Sequence, residues 1–274
     1  MRLRTILIAA AASSVLATPA LAHRMWLLPS TSNLATTKEY VTVDAAVSND
    51  LFYPDHVAMD PAQISVWAPD GSKGEIENAA KGRYRGTFDV AVNKPGTWKI
   101  GTERVTIAGT FKLGADQWRV GGRRPAGATN AVATPAEIPA NATDIKLAEN
   151  TARNYVYVTA GAPTKIALTG KGLEFDPVTH PSELVADEEA RFRFLIDGKP
   201  AAGVKVTVVP GGKKYRSAEE AQELTTGADG MVAVKWPVAG WHWLSASAED
   251  AKPEDKRAST RRMSFTTTLE VVAP

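Results

Sequence analysis

From residue 40 onward the chain is written in short runs of Val, Ile, Thr and aromatic residues, broken by Gly, Pro, Asp and Asn. Apolar residues recur at every second position within these runs, and stretches with a helical period are scarce, which is the pattern of antiparallel strands with one buried face. Strands are predicted over 40–46, 64–67, 82–90, 96–100 and 109–113, with a turn at Pro69-Asp70-Gly71-Ser72. The stretch 121–148, rich in Ala, Pro, Gly, Asn and Thr and without period, reads as a long loop or linker. Strands resume at 154–160, 165–168, 173–175, 190–196, 204–209, 231–236, 242–246 and 264–272, with tight turns at Asp197-Gly198-Lys199-Pro200 and Gly227-Ala228-Asp229-Gly230. Residues 217–224 offer one or two helical turns. The fold class expected is therefore all-β, two consecutive β-sandwiches. The first spans 23–120; a segment of strands and connector spans 149–183; and an immunoglobulin-like sandwich spans 184–274.

The first 22 residues have a different character. Arg2 and Arg4 precede an apolar run from Thr5 to Leu16, and Ala20-Leu21-Ala22 has the small-x-small form that signal peptidase accepts. The run is shorter than the roughly 20 residues that span a bilayer. Residues 1–22 thus read as a cleaved signal peptide, with export to the periplasm and no membrane insertion of the mature chain. Removing them takes Lys+Arg from 32 to 30, equal to the 30 Asp+Glu, so the mature chain is formally neutral. With no basic stripe interleaved with aromatics, and Arg123-Arg124 an isolated pair, the sequence carries no nucleic-acid footprint. The absence of Cys excludes disulfides, thiolate metal sites, a Cys nucleophile and a lipid-modified cysteine.

Cleavage after Ala22 makes His23 the first residue of the mature protein, and that changes its chemistry. A terminal histidine offers its α-amino group and its ring Nδ1 to one metal ion in a closed chelate ring. Amines and imidazoles as classes give up their protons at modest cost near neutral pH. One more imidazole makes three nitrogens in a T, which suits Cu(II) or Ni(II) on the tetragonal preference of those ions. His56, in the loop Asn49-Asp50-Leu51-Phe52-Tyr53-Pro54-Asp55-His56, is the first candidate for that third ligand, and Asp50, Asp55 and Asp60 are nearby carboxylates that could ligate or orient it. Against this, His23 must follow the cleavage point as some residue does, and the 49–56 loop is built of ordinary turn formers. His180, flanked by prolines, reads as part of a stiff connector, and His242, alternating with Trp241 and Trp243, as strand packing. No nucleophile elbow, phosphate loop, zinc-protease helix or dinucleotide fingerprint is present, so hydrolase chemistry has no positive support.

The residues His23-Arg24-Met25-Trp26-Leu27-Leu28-Pro29 resemble the opening of the bacterial domain-of-unknown-function 4198 family, whose members begin after the signal peptide with His-x-x-Trp-x-x-Pro. Leu173-Glu174-Phe175-Asp176-Pro177 and Asp197-Gly198-Lys199-Pro200 are similar to the family's second half, so the resemblance covers nearly the whole mature chain. It implies a periplasmic protein described as a component of nickel or cobalt uptake, and by motif it carries over His23 alone. The function expected is a non-enzymatic transition-metal binding or uptake-accessory protein for nickel, cobalt or copper, which hands metal to a membrane transporter. The alternatives are an immunoglobulin-like module that binds carbohydrate or protein, and a copper oxidoreductase built on the same amine and imidazoles.

Overall fold

A computed structural model describes residues 23–122 and 129–274; the signal-peptide reading and Arg123-Arg124 lie outside the described residues. Every regular element among them is a strand or a short 3-10 turn, so the chain is all-β. The first sheet carries Arg24–Pro29, Glu39–Ser48, Gly86–Val92 and Glu77–Lys81 in that order, with Val57–Ala58 also paired to Glu39–Ser48. In Gly86–Val92 buried and half-buried residues alternate without a break, the period-two pattern its sequence shows. This sheet faces Ser65–Trp67, Gly96–Leu113, Thr143–Ala160 and Asn33–Leu34 across a core of Val41, Val43, Phe88, Val90, Trp98 and Ile100.

The carboxy-terminal sandwich has one sheet of Leu173–Pro177, Glu189–Ile196 and Met231–Lys235. The other runs Thr260–Val271, Gly240–Asp250, Lys205–Pro210, Gln222–Thr225. Lettered in chain order, these are strands A, B and E against G, F, C and C′, the immunoglobulin arrangement. Its core is aromatic: Phe175 stacks on Phe265 at 5.2 Å and packs at 5.0 Å on Phe192, and all three are buried. Each such ring contributes about 1.5–3 kcal/mol on leaving water.

The two sandwiches are not separate beads. Thr143–Ala160 pairs antiparallel with Gly96–Leu113 on one side and parallel with Thr260–Val271 on the other, so one ten-stranded sheet runs through both. Residues 154–160 are all buried. Alternation explains it: Val156, Val158 and Ala160 enter the first core, while Tyr155 and Tyr157 enter the second. The strand is flush against its neighbour because Gly101 has no side chain; a Cβ there would stand 2.0 Å from the Asn154 carbonyl oxygen.

Local expectations differ from the structure at several places: the strand expected from 82 begins at Gly86, and those expected at 96–100 and 109–113 are one strand, Gly96–Leu113. The stretch 121–148 is not a bare linker: Ala131–Val132 pairs with Asp116–Val120, Pro135–Glu137 forms a 3-10 turn capped by Thr134, and the long strand already begins at Thr143. Its Ala and Pro content hid a small core of Phe111, Val120, Leu147 and Ala258. Residues 165–168 form no strand; Ile166 is pressed into the second core while Thr164 is held by hydrogen bonds to Thr97 instead of by a ladder. Residues 217–224 form no helix. Glu220 has φ 59°, outside the helical region, and Gln222–Thr225 is drawn into an antiparallel ladder with Lys205–Val208.

Candidate functional site

The site is built at the end of the Glu39–Ser48 strand. On one side Arg24 pairs with Ser48, and on the other Val57 pairs with Val47, so residues 23 and 56 each sit one position past the ladder. The two flanking strands are separated by the middle one, about 10 Å between backbones, a gap that two imidazole side chains can close. They do: the His23 and His56 rings stack with centroids 4.0 Å apart and planes 29° from parallel. His23 is exposed and His56 half-buried.

The carboxylates near the pair are engaged elsewhere. Asp55 accepts from the Asn49 backbone N–H at 2.9 Å and from its side-chain amide at 3.3 Å, which shapes the loop. Asp50 lies 3.5 Å from the Lys213 ammonium. Asp60 caps the Pro61–Gln63 turn through the Ala62 N–H and pairs with Lys81 at 2.8 Å; the Lys81 hydrogen bond, then the Ala62 N–H, hold its carboxyl below the usual range. Among the described residues no group of three or more His or acidic side chains is placed to hold a metal ion. Among the described residues the side chains here bring together two imidazole rings and no acidic partner for them.

What fixes the pair is a clamp on the start of the chain. Arg24 makes a two-pronged ion pair with Glu219, its second arm at 3.0 Å, and its guanidinium lies 5.3 Å over the Trp243 ring. That hydrogen bonding holds the Glu219 carboxyl below the ordinary glutamate range. The Trp243 indole N–H donates to the Met25 carbonyl at 3.1 Å, and the Trp26 indole N–H to the Ser48 hydroxyl at 2.6 Å. Ser48 in turn donates to the Asp50 carbonyl, setting the first bond of the loop that ends at His56. Phe52, in the left-handed region at φ 62°, turns its ring edge-on to Trp26 at 5.7 Å, and Lys214 lies over Tyr53 at 4.3 Å. The opening strand and the 49–56 loop are thus both docked on the 209–219 segment and Trp243 of the second sandwich.

A family model described as Domain of unknown function (DUF4198) matches residues 20–250. The chain belongs to this family. The DUF4198 match starts just ahead of His23 and takes in the clamp residues Arg24, Trp26, Glu219 and Trp243, the first sandwich, and the second sandwich up to the end of strand F, leaving out strand G, Thr260–Val271. No curated protein matches the chain. Among solved structures the chain is similar to the D0-D1 domain of Intimin, at 12% identity and TM-score 0.20, covering 89% of this chain and 97% of that one. It is also similar to the Escherichia coli alpha-2-macroglobulin activated by porcine elastase, at 11% identity and TM-score 0.24, covering 90% of this chain and 23% of that one.

The other two histidines stand apart from the pair. His180 caps the Pro181–Glu183 turn: its Nδ1 accepts from the Ser182 N–H at 3.2 Å, so the proton sits on Nε2, which faces the Thr164 carbonyl at 3.2 Å. Both nitrogens are used. His242 is buried on the face opposite Trp243, donating from Nδ1 to the Gly240 carbonyl at 3.1 Å and meeting Trp236 edge-on at 5.1 Å. Burial is the first cause that pushes both groups below the ordinary histidine value. A histidine kept neutral by the fold but free to protonate when unfolded opposes folding as pH drops below about 6.5, and its effect ends near its own lowered value. Urea midpoints measured near pH 5 and near pH 8 are therefore expected to differ less in His242→Leu than in the wild type; an unchanged difference rules out this contribution.

Proposed function

We propose that the mature protein is a non-enzymatic periplasmic binding or uptake-accessory protein for a divalent transition metal, held by the His23 amine, the His23 ring and the His56 ring. One observation carries the reading: two imidazoles 33 positions apart in the chain meet ring to ring at the residue that cleavage after Ala22 would make the first. A clamp formed with residues almost 200 positions away holds that residue there. Ordering a chain terminus costs about 1–2 kcal/mol per residue in backbone entropy, so a terminus fixed this firmly suits a role in which its position matters. A terminal amine and Nδ1 close a chelate ring on one ion, and the second imidazole adds a donor from a separate strand. The ion is cargo, and its release to a membrane transporter is favoured by protons that compete for the same lone pairs. Nickel, cobalt and copper all accept such nitrogens. DUF4198 membership, with the His-x-x-Trp-x-x-Pro opening, supports the reading without naming the metal.

The test is N-terminal sequencing of the exported protein, followed by calorimetric titration with Cu(II) and Ni(II). A start at His23 and one ion per chain are expected. A start at any other residue removes the amine chelate and refutes the site.

A further inference from the structure

The strand Gly96–Leu113 opens with six residues of which five are buried, and the sixth is a lysine. Trp98 and Ile100 enter the first core, so alternation turns Lys99 to the other face, between Trp67 and Tyr157 on the flanking strands. Its ammonium sits in a corner of two rings. Trp67 and Tyr155 meet edge to face at 89°, and the lysine nitrogen lies 4.4 Å from the centre of the first and 4.6 Å from that of the second. The side chain is 18% exposed, so a small molecule can reach it. It borders a cavity of about 80 Å³ walled by Trp67, Thr97, Tyr157, Lys165 and Ile166.

The fold makes little use of this amine. Among the described residues the ammonium donates no hydrogen bond: the Glu103 carboxylate stands 3.8 Å away and accepts from the Tyr155 hydroxyl instead. Glu174 is turned to the Thr169 and Gly170 N–H groups, and Arg153 to the Lys171 and Leu173 carbonyls. A second ammonium, Lys73, lies 4.3 Å from the centre of the same Trp67 ring. Lost hydration, with the charges of Arg153 and Lys73, disfavours the charged form, whereas Glu103, Glu174 and the two rings favour it. Burial is the first cause, and it holds the Lys99 amine below the ordinary lysine range. A lysine stripped of water in an apolar pocket, with other cations near it, is one form that an activated amine takes.

We infer that Lys99 is a nucleophilic amine that captures small aldehydes from this cavity as a Schiff base. The nitrogen adds to the carbonyl carbon, a proton passes from nitrogen to oxygen, and water leaves as the C=N bond forms. No oxidant or reductant is consumed. One water takes about 30 Å³, so the cavity admits a molecule of only a few non-hydrogen atoms, and acetaldehyde serves as the probe.

Limited reductive ethylation of the folded mature protein at pH 7 tests it, with cyanoborohydride to trap the imine as a secondary amine and peptide mapping by mass spectrometry to locate it. Lys99 is expected to be labelled at least about tenfold faster than Lys205 and Lys235, which are exposed and without an ion pair among the described residues. The terminal amine, of a class that titrates at about 8, reacts as well and is scored separately. Glu103→Gln keeps an oxygen for the Tyr155 hydroxyl but removes a charge that favours the ammonium. It is expected to speed labelling of Lys99 further while Lys205 and Lys235 keep their rates. Labelling of Lys99 no faster than that of those two lysines, or a Glu103→Gln protein in which Lys99 is not accelerated, overturns the inference. Neither result bears on the histidine pair, which shares no residue with this cavity.

Discussion

A mature protein lengthened by a single alanine ahead of His23 is expected to bind Cu(II) or Ni(II) at least about a hundredfold more weakly than the natural mature form. The extension turns a primary amine into an amide, which does not ligate readily at neutral pH, and opens the chelate ring it shared with Nδ1. No side chain changes, and the clamp of Arg24, Trp26, Glu219 and Trp243 stays in place. Replacing a group that merely orients a ligand costs about 10–100-fold in affinity, so loss of a ligand itself should reach or exceed the upper end. His56→Ala is expected to fall in the same range. If amine and imidazoles serve one ion, combining the extension with His56→Ala costs less than the product of the two single effects, as groups acting in one site do. His180→Ala leaves affinity unchanged, since that ring spends both nitrogens on Ser182 and Thr164. Wild-type affinity in both the extended protein and His56→Ala would falsify the site.

How far this arrangement could be read from the sequence depends on which contacts are local. The strands with one buried face were legible because their period is written in consecutive residues; Gly86–Val92 is the cleanest case. The tight turns at Asp70-Gly71 and Asp197-Gly198 were legible for the same reason, both glycines standing at positive φ. The sharing of one sheet by two sandwiches was not, because a strand buried on both faces, as 154–160 is, reads only as a run without alternation, and its parallel partner begins at Thr260. His23 and His56 were singled out by what their nitrogens can do, yet their meeting depends on the register of two ladders on either side of Glu39–Ser48, which no local pattern encodes. The clamp that Arg24, Glu219 and Trp243 form together had no signal in the sequence. Arg24 stands beside His23 in the sequence, but nothing near it announces an acid 195 positions later. The aspartates of the 49–56 loop were named as spare ligands on proximity; the structure spends them on the Asn49 amide and on Lys213.

Arg261→Met is expected to be the most destabilising single change considered, lowering unfolding free energy at neutral pH by about 3 kcal/mol, the lower end for breaking a buried ion pair. The Arg261 side chain is only 5% exposed, and it holds two aspartates at once: Asp197 through both terminal nitrogens at 3.0 and 2.7 Å, and Asp250 through Nε at 3.1 Å and a terminal nitrogen at 2.6 Å. This joins the turn between strands B and C to the far end of strand F, beside the ladder that links the two sandwiches. The lower end is chosen because Asp197 is 42% exposed, so water screens part of the charge left behind. Hydrogen bonds from Arg261 are the first cause that holds both carboxyls below the ordinary aspartate value. In the wild type their contribution is therefore complete above about pH 4, where the unfolded chain is also ionised, and is lost as pH falls through the lowered folded values. In Arg261→Met the two carboxylates repel with only Lys252 and the Gly172 and Lys252 backbone N–H groups left to favour their ionised forms, so their contribution at neutral pH is smaller and less of it is lost in acid. The stability gap between the proteins should thus be widest near neutrality and close as pH drops below about 4. Urea unfolding across that range is the measurement, and a gap that stays constant with pH would show that Arg261 stabilises the fold by packing its aliphatic stem instead of by charge.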